Sequence, residues 1–344
     1  MNRIVSIILI TIVLLVIGIS VFLYFYSDSK LSGKLPIEKN SELLIVIPKN
    51  ASIESAMDII NEKGILLPRW YFVNFAKIYS RIFNKQLYAG TYRFTNGNTN
   101  MHVIRAIFSG EQQFIVMVTF PEGLSVREYA SILKNRIGAD SAKFVSLASQ
   151  DSILRKYAIE GSSAEGCLMP NTYQLYWRHD EYEVLTKLLD YHKKLWDRKF
   201  AAQAKAAGWS KTKVLALASI IQAETPISDE MPVVSAVYCN RLARGWKLEA
   251  DPTVQYAVGS KRKLYNKDLF YDSPYNTYKY PGLPPGPINS PGEEAISAAL
   301  NPGKSDYMYF VAIGDGSGRH LFSRTKQEHL ANVAVYRKNA EKKR

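Results

Sequence analysis

The run Val214-Leu-Ala-Leu-Ala-Ser-Ile-Ile-Gln-Ala-Glu-Thr-Pro226 carries ten residues without a charge ahead of its one carboxylate. Its apolar side chains fall on nearly every face of a helix, which predicts a helix buried all round. Pro226 lacks an amide hydrogen and disfavours helical geometry in the residue before it, so the helix should end near Glu224. A carboxyl placed there meets desolvation and the negative end of the helix dipole, and both favour its protonated form. That is the state a general acid needs near neutral pH. Taken alone, a glutamate at a helix end is just as well explained by reaching solvent or pairing with Arg241 or Arg244.

The flanking sequence weighs against that simpler explanation. A helix beginning near residue 229 lines up Val233, Val234, Val237, Tyr238 and Leu242 on one face and presents Asn240 and Arg241 before Gly245. Beyond it stand D-P-T-V-Q-Y at 251–256, Y-N-T-Y at 275–278, and a stretch over 280–292 in which eight of 13 residues are Pro or Gly. Amide and hydroxyl side chains interleaved with tyrosines suit a carbohydrate, whose rings stack on aromatics while its hydroxyls need planar hydrogen-bond partners. The candidate substrate contacts are therefore Asn240, Arg241, Asp251, Thr253, Gln255, Tyr256, Tyr275, Asn276, Thr277 and Tyr278. Any one tyrosine can instead simply pack its loop onto the core. A further helix is expected over 182–205, and a hairpin over 307–313 and 319–323. The intervening G-x-G-x-G opens a strand, where a dinucleotide-binding loop would open a helix.

Nearer the amino terminus, residues 4–26 are 23 residues without a charge. At about 1.5 Å per residue this run is long enough to cross a hydrocarbon core of about 30 Å. It closes on Tyr24, Phe25 and Tyr26, an interfacial belt, where a cleaved leader would close on small residues, so a retained anchor is expected. Arg3 on one flank and Lys30 and Lys34 on the other leave its orientation undecided. Residues 28–42 are polar and read as a linker. Strand-turn-helix patterns then follow: a strand over 43–47, the turn Pro48-Lys49-Asn50 and a helix over 52–63; a strand over 90–94 and a helix over 101–108; and a strand over 114–120 with a helix from Ser125, where Ser125 and Glu128 have capping-box spacing.

Composition sets the outer limits. The 344 residues are 47% hydrophobic and 22% charged, which excludes general disorder. Lys and Arg number 44 against 31 Asp and Glu, a net charge of +13 that favours an anionic partner. The basic residues are scattered, with a dense run only at Arg337, Lys338, Lys342, Lys343 and Arg344, which reads as a solvated tail; no nucleic-acid-binding pattern accompanies it, leaving membrane lipid or an acidic wall polymer. Two cysteines, Cys167 and Cys239, rule out a disulfide scaffold and are expected to be buried thiols. No metal site is expected.

Read together, L-A-S-I-I-Q-A-E-T at 217–225, N-R-L at 240–242, D-P-T-V-Q-Y at 251–256, Y-N-T-Y at 275–278, G-L-P-P-G-P-I at 282–288, E-G-C-L-M-P-N-T-Y at 165–173 and Y-F-V-A at 309–312 resemble the endolytic murein transglycosylase family, the YceG-like membrane-anchored lytic transglycosylases. The resemblance implies an α+β chain: a cytoplasmic stub and single transmembrane helix over 1–27, a linker over 28–42, a small LysM-like peptidoglycan-binding subdomain over 43–113, and a larger mixed α/β catalytic region over 114–344 with its core motifs in 206–330. It maps the catalytic glutamate onto Glu224. It implies cleavage of nascent glycan strands between N-acetylmuramic acid and N-acetylglucosamine with 1,6-anhydro ends, no cofactor, a single-pass cell (inner) membrane location facing the periplasm or extracytoplasmic space, and glycan strands as partner, with peptidoglycan synthases as further candidates. Two positions depart from the family pattern: Gln222 stands where an acid is common, and Asn171 where Asp is usual. Two rivals remain at this point, a hydrolytic muramidase using Glu249 or Asp251 beside Glu224, and a membrane-tethered peptidoglycan-binding scaffold with an inert Glu224.

Overall fold

The computed structural model describes residues 2–48, 50–110 and 113–342. Lys49 of the expected turn, and Lys343 and Arg344 of the basic run, lie outside the described residues. The chain is α+β and divides into two compact units, residues 1–116 with 175–179 and residues 117–174 with 180–344.

The first unit starts with helix α1 (Asn2–Ser32), whose apolar span Ile7–Ser32 is long enough to cross a membrane and has no buried share. Strand β1 (Glu42–Ile47), helices α2 (Ile53–Asn61) and α3 (Arg69–Ile82) and strand β2 (Gly90–Thr95) follow, then helix α4 (Asn100–Ser109). β1 and β2 pair antiparallel from Glu42 opposite Thr95 to Ile47 opposite Gly90. Alternation along the strands sends Ile45, Ile47, Tyr92 and Phe94 into the core, where Met57 and Ile60 of α2, Phe72 of α3 and Ile104 and Ile107 of α4 meet them. Ser52 caps α2 through the Ser55 amide, and Thr99 with His102 forms a capping box on α4.

The expected linker is partly structured. α1 continues to Ser32, its Lys30 carbonyl accepts Asn100 Nδ2 at 2.9 Å, and the Gly33 carbonyl accepts the Asn100 amide at 2.9 Å. The Tyr26 ring meets Tyr71 edge-on, with centroids 5.5 Å apart.

The chain enters the second unit along β3 (Ile115–Phe120), which pairs with β4 (Asn171–Tyr176). Helices α5 (Val126–Ile137), α6 (Ser141–Ala148) and α7 (Asp151–Lys156) lie between them in sequence, and the Ser125–Glu128 capping box opens α5 as the spacing predicts. The single helix expected over 182–205 is α8 (Glu181–Leu195) continued through a π-helical turn at Trp196–Phe200 into α9 (Ala201–Ala206). Next comes α10 (Lys211–Glu224), in which every residue from Val214 to Ile221 is buried. It is sheathed by α11 (Met231–Ala243), α12 (Asp251–Val258) and α13 (Glu293–Leu300), with a 3-10 turn at Asn266–Phe270 in the loop between the last two. The expected hairpin forms from β5 (Tyr309–Ala312) and β6 (His320–Ser323), and α14 (Lys326–Glu341) packs on it.

The attachment of α1 is open to a truncation test. Removing residues 1–24 leaves Tyr26, Lys30 and Gly33 in place, and the first unit should melt as in the full chain. Removing residues 1–34 deletes two hydrogen bonds and a ring contact, a loss of about 2 kcal/mol that should lower the melting temperature of that unit by about 8–16 °C. Calorimetry of the two truncations checks the difference.

Candidate active site

α10 delivers Glu224 to the middle of the second unit as a consequence of its own sequence. Ser210 caps its start by accepting the Lys213 amide, and Thr225 breaks into extended geometry with φ −143° and ψ 133° while its amide still reaches the Ile221 carbonyl at 3.2 Å. The side chain of Glu224 is half-buried, crowded by protein yet open on one side to solvent.

The Tyr238 hydroxyl of α11 donates to Glu224 Oε1 at 2.6 Å. Burial raises the Glu224 carboxyl to about 7, with the negative charge of Asp251 pushing the same way; the Tyr238 bond and the Arg241 charge oppose them. Tyr238 is itself fully buried and, through burial and the neighbouring carboxylate, held well above the ordinary phenol range, so it acts as a fixed donor. Asp251, at the first turn of α12, is exposed and accepts the Tyr278 hydroxyl at 2.6 Å. Burial, then that bond, raises the Tyr278 phenol.

The residues anticipated as substrate contacts fall into two groups. Asn240 Nδ2 donates to the carbonyls of Ser305 and Tyr307, at 2.9 and 3.0 Å. Arg241, only 8% exposed, donates to the carbonyls of Met308 and Leu248 and lies over the Tyr309 ring. Asn276 Nδ2 serves the Leu269 and Tyr271 carbonyls, while Thr253 and Thr277 share a buried hydroxyl pair at 2.8 Å. Gln255 Nε2 donates to the Arg262 carbonyl at 2.9 Å. These six side chains thus have donors engaged inside the protein. Tyr256 and Tyr275 form a ring pair with centroids 4.9 Å apart, and with Asp251 and Tyr278 they keep accessible surface.

Ser219 and Glu165 had no reading of their own in the sequence, and Gln222 was read only as a departure from the family pattern. Ser219 Oγ accepts the Ile288 amide at 3.0 Å and donates to the Ala216 carbonyl; its own carbonyl accepts Asn289 Nδ2 at 2.8 Å. Gln222 Oε1 accepts the Gly292 amide at 2.9 Å. α10 thereby grips the Pro/Gly loop at both ends of its last two turns. Glu165 is buried at 8% exposure and accepts the Val126 amide at 3.1 Å; burial raises it to about 7. Next to it, Gly166 at φ +75° packs where a Cβ would come within 2.3 Å of Pro287. Tyr238 reads in the sequence as one more apolar-face residue. Cys167 and Cys239 are free thiols, and among the described residues no group of three or more His, Cys, Asp or Glu is arranged to hold a metal ion.

The family profile described as YceG-like matches residues 45–335, most of the chain and all of this site. The chain belongs to the YceG-like family. This YceG-like chain is 28% identical over 323 residues to a protein of Bacillus subtilis named endolytic murein transglycosylase, covering 89% of this chain and 88% of that one. Proteins of the same name from two Streptococcus pneumoniae strains are 25% identical over 91% of this chain, which spans 62% of their length. A crystal structure of a YceG-like protein from Listeria monocytogenes superposes with TM-score 0.58 at 28% identity, covering 85% of this chain and 99% of that one.

Two measurements probe the electrostatics. Carboxyl carbon NMR should place the Glu224 titration near 7, and Tyr238→Phe, by removing the donor that favours the ion, should move it upward. For Glu165 the folded chain between pH 4.5 and about 7 holds a proton that the unfolded chain releases, so stability falls as pH rises across this window. Glu165→Gln keeps an acceptor for Val126 and removes the charge. It should be close to neutral below pH 4.5 and stabilising by up to about 3 kcal/mol above pH 7, read from denaturant melts at both ends.

Proposed function

We propose that this chain is an endolytic murein transglycosylase that cleaves peptidoglycan glycan strands between N-acetylmuramic acid and N-acetylglucosamine and leaves 1,6-anhydromuramoyl ends. The observation that carries the reading is the half-open Glu224 carboxyl, balanced near 7 at the end of a buried helix with one oxygen held by Tyr238. The names of the Bacillus and Streptococcus relatives support it.

With Oε1 engaged by Tyr238, Oε2 is the oxygen that works on substrate. Protonated Glu224 gives its proton to the glycosidic oxygen as the bond from muramoyl C1 to that oxygen breaks. The resulting carboxylate then takes the proton of the muramoyl 6-hydroxyl as O6 bonds C1 and closes the anhydro ring. Attack from within the substrate replaces a positioned water, so one group that passes a proton in both directions is sufficient. Asp251 raises Glu224 by repulsion and is held by Tyr278, which suits it to favour the starting acid form. Tyr256 and Tyr275 offer ring faces to the sugars, while Asn240, Arg241, Thr253, Gln255, Asn276 and Thr277 fix the segments that carry them.

Two other assignments belong to this reading. The β1-α2-α3-β2 order with an antiparallel strand pair supports a LysM-like, wall-binding role for residues 43–113. The exposed apolar α1 supports a single-pass membrane anchor, while the extracytoplasmic placement of the folded units, where the enzyme would limit nascent strands, rests on the family resemblance. Peptidoglycan synthases as partners rest on the family resemblance alone. The proximity of Asp251 to Glu224 favours one alternative, a hydrolytic muramidase in which Asp251 activates water.

Mass analysis of strands digested by the full chain separates the two readings: anhydro ends support the transglycosylase, and hydrated reducing ends the muramidase. Glu224→Gln should lower the rate at least about 10³-fold with the fold intact, and Asp251→Asn should be milder. Turnover should decline with a one-proton slope as pH rises above about 7, because Glu224 must start protonated. A Glu224→Gln enzyme with more than about a tenth of normal activity, a change of about 1.4 kcal/mol, would overturn the assignment.

A further inference from the structure

Outside α1, the most exposed aromatic side chain of the first unit among the described residues stands at the start of α3. Trp70, in the first turn of α3, is 62% exposed, and Leu67 just ahead of it is 56% exposed. Large apolar side chains this open on a folded unit mark a contact surface when they cluster. Their position says which surface. The Trp70 ring meets Tyr71 edge-on at 6.0 Å, and Tyr71 meets Tyr26 at 5.5 Å. Tyr26 is the last residue of the uncharged run of α1, with Phe25 beside it 65% exposed and Lys30 one turn on, its ammonium 5.5 Å from the Tyr26 ring centre. Tyrosine and lysine in that order mark the level at which a spanning helix leaves the hydrocarbon for the headgroups.

We infer that Leu67 and Trp70 form a second membrane contact, inserting into the headgroup zone of the bilayer that holds α1. The inference rests on the reading of α1 as a membrane-spanning anchor. It adds that the folded unit lies against the same leaflet. The occupant follows from continuity: Phe22, Tyr26, Tyr71 and Trp70 make one unbroken series of ring contacts from the spanning helix to the tip of α3. Tryptophan, with an apolar body and one polar N–H, is the side chain best suited to this zone. Hydrogen bonds from Asn100 to the Lys30 and Gly33 carbonyls tie α1 to the unit, so the height of Trp70 is set by the height of Tyr26.

The test uses the full chain reconstituted in vesicles of phosphatidylethanolamine and phosphatidylglycerol, with the lipid either plain or brominated near the top of its acyl chains. Brominated lipid should quench a part of the tryptophan emission that Trp70→Phe removes, the share of one tryptophan among five. Leu67→Glu, with Trp70 kept, should weaken that quenching and shift the emission to the red. Equal quenching of wild type and Trp70→Phe, in protein that stays in the vesicles through an alkaline wash, overturns the inference and leaves the anchor standing. Shielding of Trp70 from both bromine and aqueous acrylamide would mean that protein covers the patch, which also overturns it. Release of the chain by the alkaline wash removes the anchor reading and this contact together.

Discussion

A carboxyl group stays neutral near pH 7 only where water cannot surround it, and the sheathing of α10 provides that condition for Glu224. Eight consecutive buried residues, Val214 to Ile221, oblige α11, α12 and α13 to wrap the helix, and its end then falls inside the unit. Burial alone would make a permanent acid; a strong donor such as Tyr238 alone would make a permanent anion. Their opposition leaves the group near the midpoint, where a proton can be given and taken back at comparable cost.

The helix that carries the carboxyl also carries one wall of its surroundings. Ser219 and Gln222 hold the backbone amides of Ile288 and Gly292 and the side chain of Asn289, and the proline-rich loop between Tyr280 and Gly292 has little freedom of its own. Gly166 against Pro287 and Gly292 against Glu122, where added Cβ atoms would fall within 2.3 and 1.8 Å of their neighbours, fasten the loop from the other side. The distance between acid and loop is therefore set within a few bonded residues.

Much of this was legible in the sequence because it depends on local rules. An uncharged run ended by proline gives α10 and the placement of Glu224; alternation and a glycine-rich turn give the β5–β6 hairpin; Ser125 and Glu128 give the start of α5. Polar side chains were harder to read. Asn240, Arg241 and Asn276 carry the donors that suit a sugar, and a sequence cannot show that carbonyls more than 60 residues away, in the case of Asn240, already accept them. Tyr238 was hidden for the opposite reason: its ring obeys the apolar pattern of α11, and the hydroxyl at its tip leaves no trace in that pattern. The extension of α1 through Ser32 was obscured by polar composition, which is as compatible with the last turns of a solvent-facing helix as with a linker.

That extension changes the mechanics of attachment. A loose connector of 15 residues would let a folded unit roam over about 20 Å, with its position decided by chain entropy. α1 instead ends in hydrogen bonds to Asn98 and Asn100 through Lys30, Gly33 and Leu35, so it behaves as a strut cemented at its foot. Extra residues inserted before Ser32 would rotate the first unit about the helix axis by about 100° each, and would lift it by only about 1.5 Å. For such a joint the phase of the helix matters more than its length.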